Sequence, residues 1–408
     1  MKKKILALLM CAVMVIGILP VYAFALGETQ ISSDGLWQYT DIDGSESGVS
    51  FVKITAYLGE SDTLIIPAVI DGKFVKTVDS SVFVNSTVKT AFLSQGIQVI
   101  YNVVYSEKLS TRISDNKLET IIIPDSVIAV GRYTFAFTDH LKEIIVSSYN
   151  PAYTSENGVL YSKDKSTLIK YPPQKQDSEF TVPDTVTEIS NYAFAKCSYL
   201  RKVTLGENVR TNGSYFLFAC PLLEEVNLNE GLEYLFEYSL YECDSLKSLK
   251  IPDSVLRLNS YTAAYCDELK SVEIGTGCIS VLDGSFFNSL SLERAVISNP
   301  DTTIQGGGFF GKTPFRNCSK LTIYGYIDST AQTFAENNRH RFKYLDDVAG
   351  GDLNNDGITG IDDYAELKEL LSGNASFTNF KKAVSDINGD GAVDAFDLFE
   401  IDRVINAQ

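Results

Sequence analysis

The sequence predicts a mixed α/β protein in two parts, a solenoid of about 23-residue coils with one short strand each, followed by a small all-α module. Two observations lead to this prediction. Four cysteines, from Cys197 to Cys266, recur every 23 residues. Near the C-terminus, "DLNNDGITGIDD" (352–363) and "DINGDGAVDAFD" (386–397) repeat one acidic skeleton, and a stretch of helical character follows each copy.

Residues 1–25 have the organisation of a secretory signal peptide. Lys2, Lys3 and Lys4 precede an apolar run from Ile5 to Ile18, and the small residues of "AFA" at 23–25 suit a signal peptidase. Because the run is short for a membrane span and no second one follows, we expect cleavage and an extracellular, secreted protein. The alternative is that the segment is retained as an N-terminal anchor.

The charge balance excludes some classes of partner. Without the three lysines of the signal, 32 of the 35 basic residues remain against 52 acidic ones, a net charge of −20. Such a chain repels nucleic acid and anionic lipid, and it suits divalent cations. Its 408 residues, of which 45% are apolar, leave room for two or three folded domains.

The 23-residue period carries one strand-like stretch in each repeat. A leucine three residues after each cysteine opens the stretches "LRKVTL", "LEEVNL", "LKSLKI" and "LKSVEI", and turns such as "IPDSV" (251–255) follow. Coils of this kind bury their apolar positions only against neighbouring coils. Cysteines stacked in a parallel ladder point the same way, which is poor disulfide geometry, so we expect six buried free thiols, with disulfides as the alternative.

These motifs resemble the BspA-like leucine-rich repeats of secreted and surface bacterial proteins. The resemblance covers residues 26–346 and includes the inserted hairpin "NPAYTSENGVLYSKDKSTLIKYP". It implies a curved, right-handed leucine-rich-repeat solenoid, which in this family serves mostly adhesion or protein binding.

The two acidic loops have the spacing of calcium-binding loops, in which oxygen ligands at positions 1, 3, 5 and 12 and a backbone carbonyl at position 7 surround a sharp glycine turn at position 6. Two tandem copies therefore predict two Ca²⁺ ions. The alternative is a pair of acidic turns that cap helices. The predicted ligands are Asp352, Asn354, Asp356, Asp363 and the carbonyl of Ile358 in the first loop, and Asp386, Asn388, Asp390, Asp394, Asp397 and the carbonyl of Ala392 in the second.

Residues 350–408 resemble a type I dockerin, because no helix precedes the first loop and both position-12 residues are aspartate. The resemblance implies a small all-α, calcium-binding dockerin domain that binds a cohesin of a scaffoldin in a cellulosome. In that family loop positions 10 and 11 and helix positions 17 and 18 face the cohesin. Here these are Ile361, Asp362, Lys368, Glu369, Ala395, Phe396, Asp402 and Arg403.

Two classes of function follow for the solenoid, and a third is weaker. Outward side chains on the strands, from Lys202 and Thr204 to Ser271 and Glu273, form a mixed polar surface suited to protein binding or adhesion. A recurring tyrosine position is interpreted as packing between coils or, alternatively, as a ladder for a plant polysaccharide. It holds Tyr133, Tyr192, Tyr215, Tyr238 and Tyr261.

Glycoside hydrolase activity is the third function considered, because dockerins usually carry such enzymes. Such an enzyme needs two carboxylates held across a cleft. Repeats fill nearly all of residues 30–346, so no stretch is left there for a separate catalytic domain. The two histidines, His140 and His340, are interpreted as exposed loop residues. We therefore expect a non-catalytic subunit that acts in the context of polysaccharide degradation.

Overall fold

The computed structural model contains a β-solenoid of about 12 coils and a C-terminal helical module, and confirms the predicted fold class. The predicted signal peptide lies outside the residues that it describes. Within the described part, no helix has the length and apolar character of a membrane span. The described residues are 28–42, 49–84, 86–101, 116–305, 312–345, 350–354, 359–374, 381 and 384–406.

The predicted strand of each coil is present, and these strands form parallel ladders. Within a sheet each strand pairs with the equivalent strand of the next coil; Lys202, for example, lies opposite Glu225, 23 residues later. The strands fall into three successive sheets. They are β4 (Thr63–Ile66), β7 (Thr90–Leu93), β9 (Thr120–Ile123) and β11 (Glu143–Val146); β15 (Glu179–Thr181), β17 (Lys202–Thr204) and β19 (Glu225–Asn227); and β21 (Ser248–Ile251), β23 (Ser271–Ile274), β25 (Arg294–Ile297), β27 (Thr322–Gly325) and β28 (Arg341–Tyr344).

Most coils contribute a second, shorter strand that the sequence analysis did not predict. These strands also pair in parallel within three sheets, and in the later coils the paired residues lie 23 apart, as in Tyr234 opposite Arg257. Many coils are therefore tied to a neighbour by backbone hydrogen bonds on two sides. The second ladder contains β6 (Lys73–Asp79), β8 (Val99–Tyr101), β10 (Ala129–Val130), β14 (Thr167–Lys170), β16 (Glu188–Ile189), β18 (Thr211–Asn212), β20 (Tyr234–Leu235), β22 (Arg257–Leu258), β24 (Ser280–Val281) and β26 (Thr303–Ile304).

Antiparallel strands begin the solenoid and interrupt it once. At the start, β1 (Gln30–Ile31), β2 (Trp37–Ile42), β3 (Phe51–Tyr57) and β5 (Val69–Ile70) extend the sheet of β6, β8 and β10, and a 3₁₀ turn (Ser80–Phe83) follows β6. The inserted hairpin contains β12 (Tyr153–Glu156) and β13 (Val159–Ser162). The fully buried Asn150 fixes its base, because its amide donates to the carbonyls of Pro124 and Val127.

Apolar side chains of successive coils form two large core clusters, one from Trp37 to Leu160 and one from Val159 to Ala335. The leucines that open the long strands, Leu200, Leu223, Leu246, Leu269 and Leu292, are fully buried. Since each coil has little interior of its own, this burial exists only in the stack. The stack ends at helix α1 (Thr330–Asn338), whose first turn is capped by the Ser329 hydroxyl, which accepts from the Gln332 N–H.

The six cysteines that the structure describes are free and buried, as predicted. The seventh, Cys11, lies in the predicted signal peptide. The thiols of Cys220, Cys243 and Cys266 each donate to a carbonyl of the preceding coil, those of Phe194, Leu217 and Leu240, at 3.1 Å. Ser289 occupies the next place in the series, and its hydroxyl donates to the Ala263 carbonyl at 3.0 Å. The position thus favours a small side chain with a donor, which explains why both cysteine and serine occur there.

The C-terminal module has two described helices that pack against each other, α2 (Ile361–Leu371) and α3 (Ala395–Ile405). Its buried core is small and consists of Leu353, Leu367, Leu370, Val384 and Ile401. Each helix begins at the end of one acidic loop, as the sequence predicts.

The thiol ladder predicts that Cys243→Ala destabilises the solenoid more than Cys243→Ser. Alanine leaves the buried Leu217 carbonyl without its donor, which should lower the free energy of unfolding by about 1 to 3 kcal/mol. Serine keeps a donor at the same place, as Ser289 does. Urea unfolding followed by circular dichroism measures both, and equal losses from the two variants would show that the hydrogen bond contributes nothing.

The buried thiols also predict a loss of stability in alkali. Burial raises the pKa of Cys266 from an ordinary 9.0 to about 12. Above pH 9 the unfolded chain therefore releases a proton that the folded chain keeps. The thiol's contribution to the free energy of unfolding is complete below pH 9 and declines as the pH rises. When the pH rises from 8 to 10, the free energy of unfolding of Cys266→Ser should fall by about 1 kcal/mol less than that of the unmodified protein. Parallel urea curves at the two pH values provide the test, and an identical pH dependence would argue against it.

Candidate functional site

A buried aspartate organises each acidic loop of the C-terminal module. Asp363 accepts hydrogen bonds from the N–H groups of Leu353, Asn354 and Gly360, at 2.8, 3.1 and 2.8 Å. Its side chain thus joins loop positions 2, 3 and 9 to the first turn of α2.

Asp397 repeats this arrangement in the second loop. It accepts from Ile387, Asn388 and Asp394 at 2.8, 3.3 and 2.9 Å, again at positions 2, 3 and 9. Both aspartates are buried. The two loops therefore share a geometry as well as a spacing.

The other predicted ligands of the second loop lie along its tight bend. Asp386 accepts from the N–H groups of Asp390 and Gly391, and Asn388 also accepts from Asp390. Gly391, at position 6, has a φ of 89°, which is the sharp turn that such a loop needs. Asp394 caps α3, since its carboxylate accepts from the Phe396 N–H at 2.8 Å.

The first loop is described in part. Asp352 is buried and Asn354 is exposed, whereas Asp356 and Ile358 lie outside the described residues. Among the described residues, no three His, Cys, Asp or Glu side chains converge as a metal-binding group. The donor set nevertheless fits a hard cation, because it consists of carboxylate, amide and carbonyl oxygens on loops folded by their position-12 aspartates.

The eight residues predicted to face a cohesin all lie on the module's surface. Each is exposed, and Ile361 and Phe396 are the most prominent apolar ones, with 68% and 70% of their surface accessible. The structure adds Phe399, which is 65% exposed one helical turn after Phe396. The helical period of three to four residues would have revealed it from the sequence.

The tyrosine column of the solenoid is a stack of rings. Tyr192, Tyr215, Tyr238 and Tyr261 lie face to face, with centroids 4.4, 4.8 and 5.2 Å apart and planes within 6° of parallel. Tyr133 meets Tyr192 edge to face at 5.9 Å. Because each stacked face is covered by a neighbour, this geometry favours packing between coils over a row of open platforms for sugars.

The four stacked tyrosines share a strained backbone. Their φ angles lie between 57° and 60°, the left-handed region that bulky residues seldom adopt. Each N–H compensates by donating to the next coil; Tyr215, for example, donates to the Glu237 carbonyl at 2.9 Å. Gly284 follows in the series, and a Cβ there would lie 3.0 Å from the Tyr261 ring, so the stack ends at this glycine.

A buried lysine lies at the first coil of the stack. The Lys170 ammonium donates to the Tyr192 carbonyl at 2.9 Å, and burial lowers its pKa to about 8.

The two histidines occupy different surroundings: His140 is exposed as expected, whereas His340 is half-buried and stacks on Phe334. The prediction that both histidines are exposed was therefore wrong for His340, because the end of α1 supplies a ring for it to pack on.

The outer face of the long-strand ladders changes character along the solenoid. In the later coils it carries charged pairs such as Lys202 with Glu225, 2.7 Å apart. In the first four coils one row across the strands is apolar and consists of Ile65, Phe92, Ile122 and Ile145. Three of these four side chains are exposed, Ile65 to 67%. We call this row the apolar stripe.

Comparisons with known families match both parts of the chain. The BspA type leucine-rich repeat region matches in six copies, over residues 110–156, 174–293 and 218–322. The type I dockerin domain matches residues 350–406. Type I dockerins generally bind calcium and cohesins. No curated protein matches the chain.

One solved structure with a TM-score above 0.5 supports the solenoid fold, and two others are similar at lower scores. The pneumococcal vaccine antigen PcpA is 19% identical, with 79% of this chain and 100% of that chain covered and a TM-score of 0.51. A leucine-rich repeat protein from Bacteroides ovatus is 20% identical, with 76% of each chain covered and a TM-score of 0.42. A leucine-rich cell surface protein from Faecalibacterium prausnitzii is 19% identical over 76% of this chain and 98% of that chain, with a TM-score of 0.40. The chain contains BspA-type leucine-rich repeats and a type I dockerin domain, and both kinds of domain are non-catalytic.

Proposed function

We propose that the protein is a secreted, non-catalytic subunit of a cellulosome. Its dockerin binds a cohesin of a scaffoldin in the presence of calcium, and its solenoid binds another protein or mediates adhesion during polysaccharide degradation. The observation that carries the proposal is the duplicated loop, in which Asp363 and Asp397 hold the same three backbone positions. The apolar run after Lys2–Lys4 supports export.

Calcium has a structural role in this proposal, with one ion in each loop. Asp352, Asn354, Asp356 and Asp363 with the Ile358 carbonyl would hold the first ion. Asp386, Asn388, Asp390, Asp394 and Asp397 with the Ala392 carbonyl would hold the second. Residues 350–408 carry 12 acidic and 4 basic side chains, and the described core is small. Because the carboxylates repel one another without a cation, calcium binding and folding should be one process.

The solenoid's contribution is protein binding, and the apolar stripe is the observation that favours it. An exposed row of aliphatic and aromatic side chains, continued by charged pairs on later coils, is the composition of a protein-binding surface. The tyrosine stack, in which neighbouring rings cover one another's faces, gives no comparable support to polysaccharide binding. A screen of the mature solenoid against plant polysaccharides and host-cell proteins distinguishes the two classes of ligand.

The proposal predicts that chelation unfolds the dockerin and leaves the solenoid unchanged. Hydrogen–deuterium exchange of the full chain should accelerate across residues 350–406 when EGTA replaces calcium, while solenoid peptides exchange as before. The double variant Asp356→Ala and Asp390→Ala should exchange rapidly even with calcium, and the exposed Asp402→Ala is the matched control. Unchanged exchange in the dockerin after chelation would contradict the role of calcium.

The position-12 aspartates predict a second, separate effect. Asp397→Asn keeps one acceptor oxygen but loses the other, so at least one buried loop N–H is left without a partner, which costs about 1 to 3 kcal/mol. Asp363→Asn should cost a similar amount. Thermal melts at saturating calcium measure both losses, with the exposed Asp402→Asn as a control expected to lie within about 0.5 kcal/mol of the unmodified protein. Melting temperatures equal to the control's would show that these carboxylates do not hold the loops.

A further inference from the structure

The two halves of the dockerin agree in their buried residues. Asp363 and Asp397 make the same backbone contacts, and Leu367 and Ile401, four residues later in each helix, are both fully buried. Helices α2 and α3 pack against each other. The two loop-helix units are therefore equivalent in their buried residues. A partner that recognised only this buried framework could bind through either unit.

The exposed residues break this equivalence. In the second unit, Phe396 and Phe399 expose 70% and 65% of their surface and lie one turn apart on α3. The corresponding places of the first unit hold Asp362 and Ala365, both exposed. One unit thus offers a pair of aromatic rings where the other offers a carboxylate and a methyl group.

The charges at the ends of the two faces are reversed as well. Lys368 and Glu369 of α2 correspond to Asp402 and Arg403 of α3, and all four are exposed. A partner whose charges complement one pair would meet like charges in the other. The Phe396–Phe399 pair and the Asp402–Arg403 pair lie on the same side of α3, so apolar and charged contacts select the same unit.

We infer that this dockerin binds its cohesin in one orientation, with Phe396 and Phe399 as the anchor pair in an apolar pocket. The inference rests on the proposed function and specifies how that docking occurs. If the module turned by half a revolution, Asp362 would enter the pocket, where its carboxylate would lose water without gaining a partner. Exposed aromatic side chains, phenylalanine included, are also enriched in the cores of protein interfaces.

The experiment measures binding of the full chain, saturated with calcium, to immobilised recombinant type I cohesins by calorimetry and surface plasmon resonance. The double variant Phe396→Ala and Phe399→Ala should weaken binding at least about 30-fold. Ile361→Ala is the matched control, because it removes an equally exposed apolar side chain from the other unit, and it should change affinity less than about threefold. Since all three side chains are exposed, circular dichroism should show an intact fold in each variant.

A transplant of the aromatic pair tests the orientation itself. Asp362→Phe and Ala365→Phe, added to the double alanine variant, should restore part of the lost affinity, because the equivalent framework would present the rings from the first unit while Lys368 and Glu369 still carry the reversed charges. Small, similar losses from Phe396→Ala/Phe399→Ala and from Ile361→Ala, with collapse only on their combination, would overturn the single orientation. Full affinity in the double alanine variant would overturn the anchor pair. Absence of binding by the unmodified, calcium-loaded chain to every cohesin would instead overturn the proposed function.

Discussion

The backbone register between successive coils is the constraint on which the rest of the solenoid depends. Strands of neighbouring coils pair in parallel, over 23 residues in the middle coils and over other distances elsewhere, as in Thr90 opposite Thr120. Because this pairing keeps equivalent residues in line, leucines meet leucines in the core and one thiol lies above the next. Removal of one residue from a strand would shift every such column at once, whereas the segments between strands can vary in length. The cysteines are evenly spaced because the strand pairing keeps equivalent positions of successive coils aligned.

The sequence predicted those features that repeat and carry a characteristic residue type. The long strands alternate buried and exposed residues, and the acidic loops have fixed ligand spacing, so both were accessible without coordinates. The two-residue strands were missed because no alternation can appear over two residues. The left-handed tyrosines were also unpredictable, since such a backbone is expected of glycine or asparagine and only the packing between coils stabilises it here.

The candidate site was predictable in its residues and less so in its geometry. Asp363 and Asp397 were identified as ligands from their position, whereas their hydrogen bonds to loop positions 2, 3 and 9 appear only in three dimensions. Phe399 was missed for another reason. The positions chosen as partner contacts came from a family pattern, and that pattern does not include the residue one turn beyond Phe396. Exposure in this chain, rather than family precedent, identifies it.

The stacked tyrosines have a mechanical consequence. Their centroid separations of 4.4, 4.8 and 5.2 Å bracket the usual distance between neighbouring strands, about 4.8 Å, so the rings add no curvature of their own. Rings already in contact resist compression but separate with little hindrance. A solenoid built in this way should be stiffer when it is bent toward the tyrosine side than when it is bent away from it. A subunit under tension between two attachments would therefore flex in one preferred direction.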